Sequence, residues 1–146
     1  MTDPTVIDAE HLAQLARDVR GRAYAPYSRF QVGAALLTRG GAVHRGVNVE
    51  NAAYPVGLCA ERCALGSAVA AGDRDLVAIA VVGGAELVYP CGMCRQALTE
   101  LCPDIRVILV TTDPAVPAVE VSLRTLLPHA FGPDDLAGGQ LPPTSR

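Results

Sequence analysis

The sequence has 146 residues, half of them hydrophobic, and a formal net charge of −3. This length and composition predict a single domain over residues 1–146 with a substantial core and a loose Gly/Pro-rich C-terminal tail. All 12 basic residues are arginines scattered along the chain, so neither a nucleic-acid partner nor a membrane partner is indicated. The absence of lysine excludes Schiff-base catalysis and a phosphate-binding loop that relies on lysine.

The cellular location is predicted from the apolar runs and the cysteines. No apolar run reaches the roughly 18 residues that a membrane-spanning helix needs. The chain starts with MTDPTVIDAE, which contains acids and lacks the apolar region of a signal peptide. We therefore predict a cytoplasmic protein. Its five cysteines are then free thiols or metal ligands, because disulfides are rare in that compartment.

The first predicted elements are a helix and a hairpin. Apolar residues recur with helical spacing from Leu12 to Val19, which predicts a helix over about 8–22. The run QVGAALLT predicts a buried strand over 31–38. After an Arg-Gly-Gly turn, AVHRGVNV predicts the antiparallel return strand over 42–49.

The rest of the chain alternates between helices and strands. After a loop over 50–58, the sequence predicts a helix over 59–71, a strand over 76–84, a helix over 91–101, a strand over 105–112, a short strand at VEVS and a short helix at SLRTLLP. This order predicts an α/β fold. We expect a three-layer α/β/α sandwich, with a mixed sheet of about five strands and helices on both faces.

Two short segments predict the chemistry, CAE at 59–61 and PCGMC at 90–94. Each opens a predicted helix, where free N–H groups and the helix dipole lower the pKa of a thiol. If the helices lie side by side, Cys59, Cys91 and Cys94 provide three thiolates for zinc. One tetrahedral position then stays open for a water that ionises near neutral pH, the pattern of a catalytic site. Glu61 would be the general base and then the general acid.

Two other interpretations of these cysteines stay open. A structural zinc site requires a fourth protein ligand, and the candidates are Cys63, Cys102, His11, His44 and His129. We interpret the two cysteines as apolar core residues and the histidines as surface residues. A dithiol redox pair requires C-x-x-C after the first strand of a fold, whereas here the motif follows several elements. The spacing therefore favours a catalytic zinc.

C-x-E followed by P-C-x-x-C resembles the signature of the zinc-dependent nucleobase and nucleoside deaminases. The all-cysteine ligand set is similar to that of the small homotetrameric cytidine deaminases. The resemblance covers most of the chain, through APYSRFQVGAAL at 25–36, GVNVENAAYPVGLCAER at 46–62, PCGMCRQAL at 90–98 and LLPHAFGPDDL at 126–136. It implies a cytidine deaminase-like fold, one Zn²⁺ per chain, a small-molecule nucleoside substrate and a homotetramer whose sites are completed by neighbouring subunits.

The resemblance also implies a role for each matching residue. Cys59, Cys91 and Cys94 hold zinc, Glu61 is the proton shuttle, and Arg62 offsets the excess charge of three thiolates. The implied substrate-binding residues are Asn48 and Glu50 for the ribose hydroxyls, Phe30 and the Ala60 backbone for the base, and Tyr54 and Phe131 for a neighbouring subunit's site.

Several of these residues also have simpler interpretations. Asn48 is also typical of a turn, and Glu50 of a solvated loop. Phe30, at the start of a predicted strand, would ordinarily be a core residue. Phe131 would ordinarily pack locally, and Arg62 would be an exposed helix arginine.

The implied reaction is hydrolytic deamination of cytidine and 2′-deoxycytidine to uridine and 2′-deoxyuridine, with release of ammonia, in pyrimidine salvage. A related rival is a deaminase of another small substrate such as blasticidin S, although the N-V-E-N and A-E-R runs favour the nucleoside enzyme. Deaminases of RNA or DNA are disfavoured by the acidic chain. A rival of another class is a non-catalytic zinc domain or a redox protein, which predicts four protein ligands, or no zinc and a titratable disulfide.

Overall fold

The computed structural model describes residues 8–136, in which five strands and five helices are formed. The strands are β1 Gly33–Thr38, β2 Val43–Val47, β3 Leu76–Val82, β4 Arg106–Val110 and β5 Val119–Ser122. The helices are α1 Ala9–Arg20, α2 Ala60–Ala70, α3 Gly92–Leu101, α4 Leu123–Leu126 and α5 Pro133–Leu136. A 3₁₀ turn, Tyr54–Val56, lies within the loop predicted over 50–58.

One mixed sheet contains the five strands in the order β2-β1-β3-β4-β5. Strands β3 and β4 are parallel, with Ile79 opposite Val107, because α3 provides the crossover between them. The other neighbouring pairs are antiparallel. Strands β1 and β2 form the predicted hairpin, and its turn contains Gly41 with a φ of +86°, which glycine adopts without strain.

Each face of the sheet has its own hydrophobic core, because successive side chains of a buried strand point to opposite sides. On one face, α2 and α3 pack against large apolar residues such as Leu36, Ile79 and Leu109. On the other face, α1 packs through Leu12 against residues that include Ala78 and Ile108. Helices therefore cover both faces, and the predicted α/β/α sandwich with a mixed sheet is confirmed.

The element ends follow local signals in the sequence. Helix α1 begins after Asp8, whose Oδ1 accepts a hydrogen bond of 2.9 Å from the N–H of His11. Helix α2 is followed by Gly72, which has a φ of +90°. The predicted helix and strand ends agree with the observed ones within about two residues.

Two predictions about individual side chains are wrong. His44 is not a surface residue, because β2 directs it towards the turn after α2, where its Nε2 lies 2.7 Å from Oδ2 of Asp73 and the side chain is 15% exposed. Cys63 is half-buried and belongs to neither core, since α2 packs on the sheet through a stripe of alanines instead. Cys102 does pack against a core, as predicted.

The prediction of a single domain over 1–146 stays a prediction, because residues 1–7 and 137–146 lie outside the described part of the chain. The predicted loose end of the C-terminal tail falls in the second of these ranges. In the described part, no helix is both long enough and apolar enough to cross a membrane.

Candidate active site

The three cysteines of the predicted zinc site meet at the starts of two helices. Cys59 immediately precedes α2, Cys91 immediately precedes α3, and Cys94 lies in the first turn of α3. The two helices are in contact on the same face of the sheet. As a result, the three sulfur atoms lie within 4.8 Å of one another.

The spacing of these sulfur atoms fits a tetrahedral zinc ion. The Sγ of Cys91 lies 3.8 Å from that of Cys59 and 3.5 Å from that of Cys94. Two zinc–sulfur bonds of about 2.3 Å at a tetrahedral angle place their sulfurs about 3.8 Å apart. Within residues 8–136, no other His, Cys, Asp or Glu joins the cluster. The described residues therefore offer no fourth protein ligand, which a structural zinc site would require.

The cluster favours a thiolate at Cys59. A hydrogen bond from the Cys94 thiol, opposed by burial and assisted by Arg62, lowers the pKa of Cys59 to about 5. The same contact and burial raise the pKa of Cys94 far above that of an ordinary thiol, because the two sulfurs share one proton. Zinc binds the thiolate form of cysteine, so this donor set suits it.

Glu61 lies next to the ligand set in the first turn of α2, and its side chain is buried. Burial raises the pKa of this carboxyl, and the negative charge of Cys59 acts in the same direction. Among the described residues, Glu61 is not a member of the metal-binding cluster. A buried carboxyl with a raised pKa beside an open metal position is suited to exchange protons at neutral pH.

Arg62 connects the ligand set to the loop before α2. Its Nη2 donates to the carbonyl oxygen of Gly57 at 3.2 Å and lies 3.9 Å from Sγ of Cys59. Its Nε is buried and has no hydrogen-bond partner within the described residues. The hydrogen bond to Cys59 raises the pKa of the guanidinium, which stays charged beside the thiolates. The interpretation of Arg62 as an exposed helix arginine is therefore wrong.

The side chain of Asn48 forms hydrogen bonds with the backbone of the segment that contains Phe30. Its Nδ2 donates to the carbonyl oxygen of Phe30, and its Oδ1 accepts from the N–H of Val32, both at 2.8 Å. The ring of Phe30 is 46% exposed. Phe30 is therefore not a core residue, because it precedes β1 in an irregular segment and Asn48 holds its backbone.

The carboxylate of Glu50 accepts hydrogen bonds from the same segment, at Tyr27 and Ser28. Its Oε2 accepts from the N–H of Tyr27 at 2.9 Å and from the N–H of Ser28 at 3.2 Å. The Ser28 hydroxyl donates to Oε1. These bonds, that of the hydroxyl first, lower the pKa of Glu50. Glu50 is therefore an anchored carboxylate rather than a freely solvated loop acid.

A cavity of about 440 Å³ lies beside Glu50. Its lining residues are Tyr27, Ser28, Glu50, Asn51, Tyr54 and Gly57. The rings of Tyr27 and Tyr54 meet edge to face, with centroids 6.2 Å apart. The cysteines and Glu61 do not line this cavity. Gly57 links it to the metal site, since its carbonyl accepts the hydrogen bond from Arg62.

The remaining predicted site residues lie in different surroundings. Ala60 is the first residue of α2 and is fully buried. In the sequence it lies between the ligand Cys59 and Glu61. Tyr54, at the cavity, is 77% exposed. Phe131 does not line the cavity, and its ring is 56% exposed, while its carbonyl oxygen accepts a 2.8 Å hydrogen bond from Nε2 of Gln96.

Two residues that shape the site were not predicted from the sequence. Nε of Arg95 donates a 2.7 Å hydrogen bond to the carbonyl oxygen of Pro90. This bond holds the backbone immediately before the ligand Cys91. The only signal of Arg95 in the sequence is its position directly after Cys94. The other residue is Ser28, which bonds the carboxylate of Glu50. Its only signal in the sequence is its place in the matching segment 25–36, because a lone serine in a loop has many uses.

Comparison with known proteins points to one family. The family model described as "Cytidine and deoxycytidylate deaminase zinc-binding region" matches residues 7–111. A cytidine deaminase from Halalkalibacterium halodurans is 49% identical over 132 residues, which cover 89% of this chain and 98% of the relative. The crystal structure of cytidine deaminase from Burkholderia pseudomallei has a TM-score of 0.81 and 46% identity, covering 86% of this chain and 100% of that one. The cytidine deaminase from Mycobacterium tuberculosis gives a TM-score of 0.74 and 39% identity, with 87% and 99% covered.

The fold and the sulfur geometry place this chain among proteins that bind zinc at a site open to substrate. Within that class, the chain belongs to the cytidine and deoxycytidylate deaminase family, because the matched region includes the three cysteines and the relatives align over almost their full lengths. Zinc is therefore the cofactor of the thiol cluster. The predicted membership of the zinc-dependent cytidine deaminases is confirmed.

Proposed function

We propose that this protein is a cytidine deaminase, which hydrolyses cytidine and 2′-deoxycytidine to uridine and 2′-deoxyuridine with release of ammonia, as a step of pyrimidine salvage. The observation that carries the proposal is the buried Glu61, two residues after Cys59, beside a three-thiol cluster with sulfur spacings that fit zinc. Family membership and relatives named cytidine deaminase support it.

Zinc, when bound by Cys59, Cys91 and Cys94, supplies a water that ionises near neutral pH. Glu61 would take one proton from that water and deliver it to N3 of the pyrimidine, while the water oxygen bonds to C4. The same carboxyl would then carry the second proton of the water to the amino group, so that the C4–N bond breaks with release of ammonia and the oxygen stays on C4. The raised pKa of Glu61 supports both steps, because a group that titrates nearer to pH 7 gives and takes protons more readily.

The substrate contacts are proposed from the arrangement of the cleft. Glu50 and Asn48 would bind the ribose hydroxyls, since a carboxylate and an amide suit paired hydroxyls. Phe30 would pack on the pyrimidine ring, and its partial exposure leaves the ring available for that contact. The backbone of Ala60 would contact the base from the start of α2.

We extend the proposal to a homotetramer, in which Tyr54 and Phe131 reach a neighbouring subunit's site. Both rings are more than half exposed on this chain. Aromatic side chains are enriched in protein interfaces, and this exposure leaves both available to a neighbouring subunit. Light scattering on the zinc-loaded protein tests this part, and a mass near that of one chain would contradict it. We also place the enzyme in the cytoplasm, which suits its five free cysteines.

The test of the reaction is ammonia release from cytidine by purified protein of known zinc content. We expect release in proportion to bound zinc. About one zinc per chain without ammonia release from cytidine or 2′-deoxycytidine would contradict the proposal. Blasticidin S should be assayed in parallel, because turnover of that compound alone would make the protein a deaminase of another small substrate.

A further inference from the structure

The side chain of Ser28 joins the two halves of the proposed nucleoside cleft. Its hydroxyl donates to Oε1 of Glu50 and accepts a 3.0 Å hydrogen bond from the N–H of Phe30. Glu50 is the proposed ribose ligand, and Phe30 is the proposed contact of the pyrimidine ring. One hydroxyl therefore bonds both the proposed sugar contact and the backbone of the proposed base contact.

Among the groups of residues 8–136 that anchor Glu50, the Ser28 hydroxyl is the only one supplied by a side chain. The other donors are the backbone N–H groups of Tyr27 and Ser28 itself, which any residue except proline would provide at these positions. A carboxylate offers about four acceptor sites and donates nothing while it is ionised. Three fixed donors therefore set its orientation and leave acceptor capacity for a hydroxyl of the substrate.

We propose that Ser28 is a positioning residue for sugar recognition, which holds the Glu50 carboxylate in the orientation that accepts a ribose hydroxyl. This inference rests on the proposed function. Ser28 and Glu50 both line the 440 Å³ cavity, so the hydroxyl acts where the sugar would lie. A carboxylate that is already oriented binds with a smaller loss of side-chain freedom.

The test compares two nucleosides in the Ser28→Ala variant. Cytidine carries the 2′- and 3′-hydroxyls, and 2′,3′-dideoxycytidine lacks both. We expect the KM for cytidine to rise about tenfold, the effect of losing one hydrogen bond to a charged group, with kcat changed far less. The KM for the dideoxy compound should change less than about twofold, because that compound offers Glu50 no ribose hydroxyl.

Three further variants separate positioning from a general structural effect. Ser28→Thr keeps the hydroxyl and should restore the KM for cytidine. In a Glu50→Gln background, Ser28→Ala should add little to the KM, because the group it positions is gone. Ser67→Ala is the matched control, since the Ser67 hydroxyl bonds the carbonyl oxygen of Cys63 on the exposed face of α2 and lines no part of the cavity.

Failure of the proposed function and failure of the proposed role of Ser28 give different results. Wild-type protein that deaminates neither nucleoside would contradict the proposed function and this inference together. Active wild-type protein whose Ser28→Ala variant shows an equal KM increase for both nucleosides, or none for cytidine, would overturn the role of Ser28 alone. Circular dichroism and zinc content of each variant confirm that the compared proteins share one fold and metal load.

Discussion

Gly46 of β2 lies directly against the backbone of Ala60, the first residue of α2. A Cβ built on Gly46 would stand 2.2 Å from the carbonyl oxygen of Ala60 and 2.4 Å from the backbone nitrogen of Ala64. These are backbone atoms, which cannot move aside as the end of a flexible side chain can. Helix α2 follows the ligand Cys59 and contains Glu61. The close contact at Gly46 therefore helps to set the position of both residues.

We expect Gly46→Ala to lower the free energy of unfolding by about 1–3 kcal/mol, the usual cost of overpacking. Activity should also fall, since α2 must shift. The matched control is Gly66→Ala in α2, where an added Cβ meets nothing within 4 Å. That change should raise the free energy of unfolding by about 0.5–1 kcal/mol, because alanine is the better helix former. Urea unfolding measures both, and an unchanged midpoint for Gly46→Ala would contradict the close packing.

Replacement of Glu61 by glutamine should separate proton transfer from zinc binding. The amide keeps the shape of the buried side chain but cannot take a proton, so we expect kcat to fall by at least about 10²–10⁴-fold. Zinc content and thermal stability should remain near wild type, because Glu61 is outside the ligand cluster. Glu100→Gln, which changes an exposed carboxylate on α3, is the control and should keep full activity. Substantial turnover by Glu61→Gln would rule out its role as the proton shuttle.

Loss of one ligand should be visible in the metal content. Cys91→Ala removes an exposed thiol, so little packing is lost, but it leaves two thiolates for zinc. We expect bound zinc to fall well below one per chain after dialysis, with loss of ammonia release. Cys102→Ala, at the end of α3 and outside the cluster, should retain zinc. Atomic absorption on both variants gives the stoichiometry, and equal zinc in the two would remove Cys91 from the ligand set.

The pair of Asp104 and Arg124 should make a small contribution to stability that depends on pH. The guanidinium of Arg124 holds the pKa of Asp104 below its ordinary value. A carboxylate with a lowered pKa stabilises the fold above its ordinary pKa of about 4, and the contribution is lost as the pH falls through the lowered value. Both side chains are about two-thirds exposed, so screening by solvent keeps the effect small.

We therefore expect Asp104→Asn to lower the urea midpoint slightly at neutral pH. The difference from wild type should shrink as the pH falls below about 4. Glu86→Gln is the control, because Glu86 is an exposed acid without an ion-pair partner within the described residues. A difference for Asp104→Asn that stays constant with pH would contradict an electrostatic origin.

Several parts of the site could be read from short stretches of sequence. Cys59, Glu61 and Arg62 fall within one helical turn, and Cys91 and Cys94 within another, so their grouping follows from helix geometry alone. The nearly unbroken apolar runs of β3 and β4 indicated strands covered on both faces, as they are. The resemblance to a family then added roles that no single motif specifies.

Other features could not be predicted, because they depend on residues far apart in the chain. His44 was expected at the surface, and its contact with Asp73 exists only because β2 lies beside the turn after α2. The bonds from the 27–28 backbone and from Ser28 to Glu50 span more than 20 positions. The residues next to a loop serine or glutamate in the sequence do not indicate which distant residue it will bond.

The sequence by itself determined the elements, the mixed α/β class and the chemical types in the two cysteine segments, because periodicity and residue chemistry are local properties. Only the tertiary structure decided that Cys59 lies 3.8 Å from Cys91, that α2 approaches β2 closely at Gly46, and that Ser28 bonds to Glu50. These distances depend on how two helices pack on one face of the sheet and on how a loop folds back beside it. Packing is set by the sum of many weak contacts, which no short segment of sequence contains.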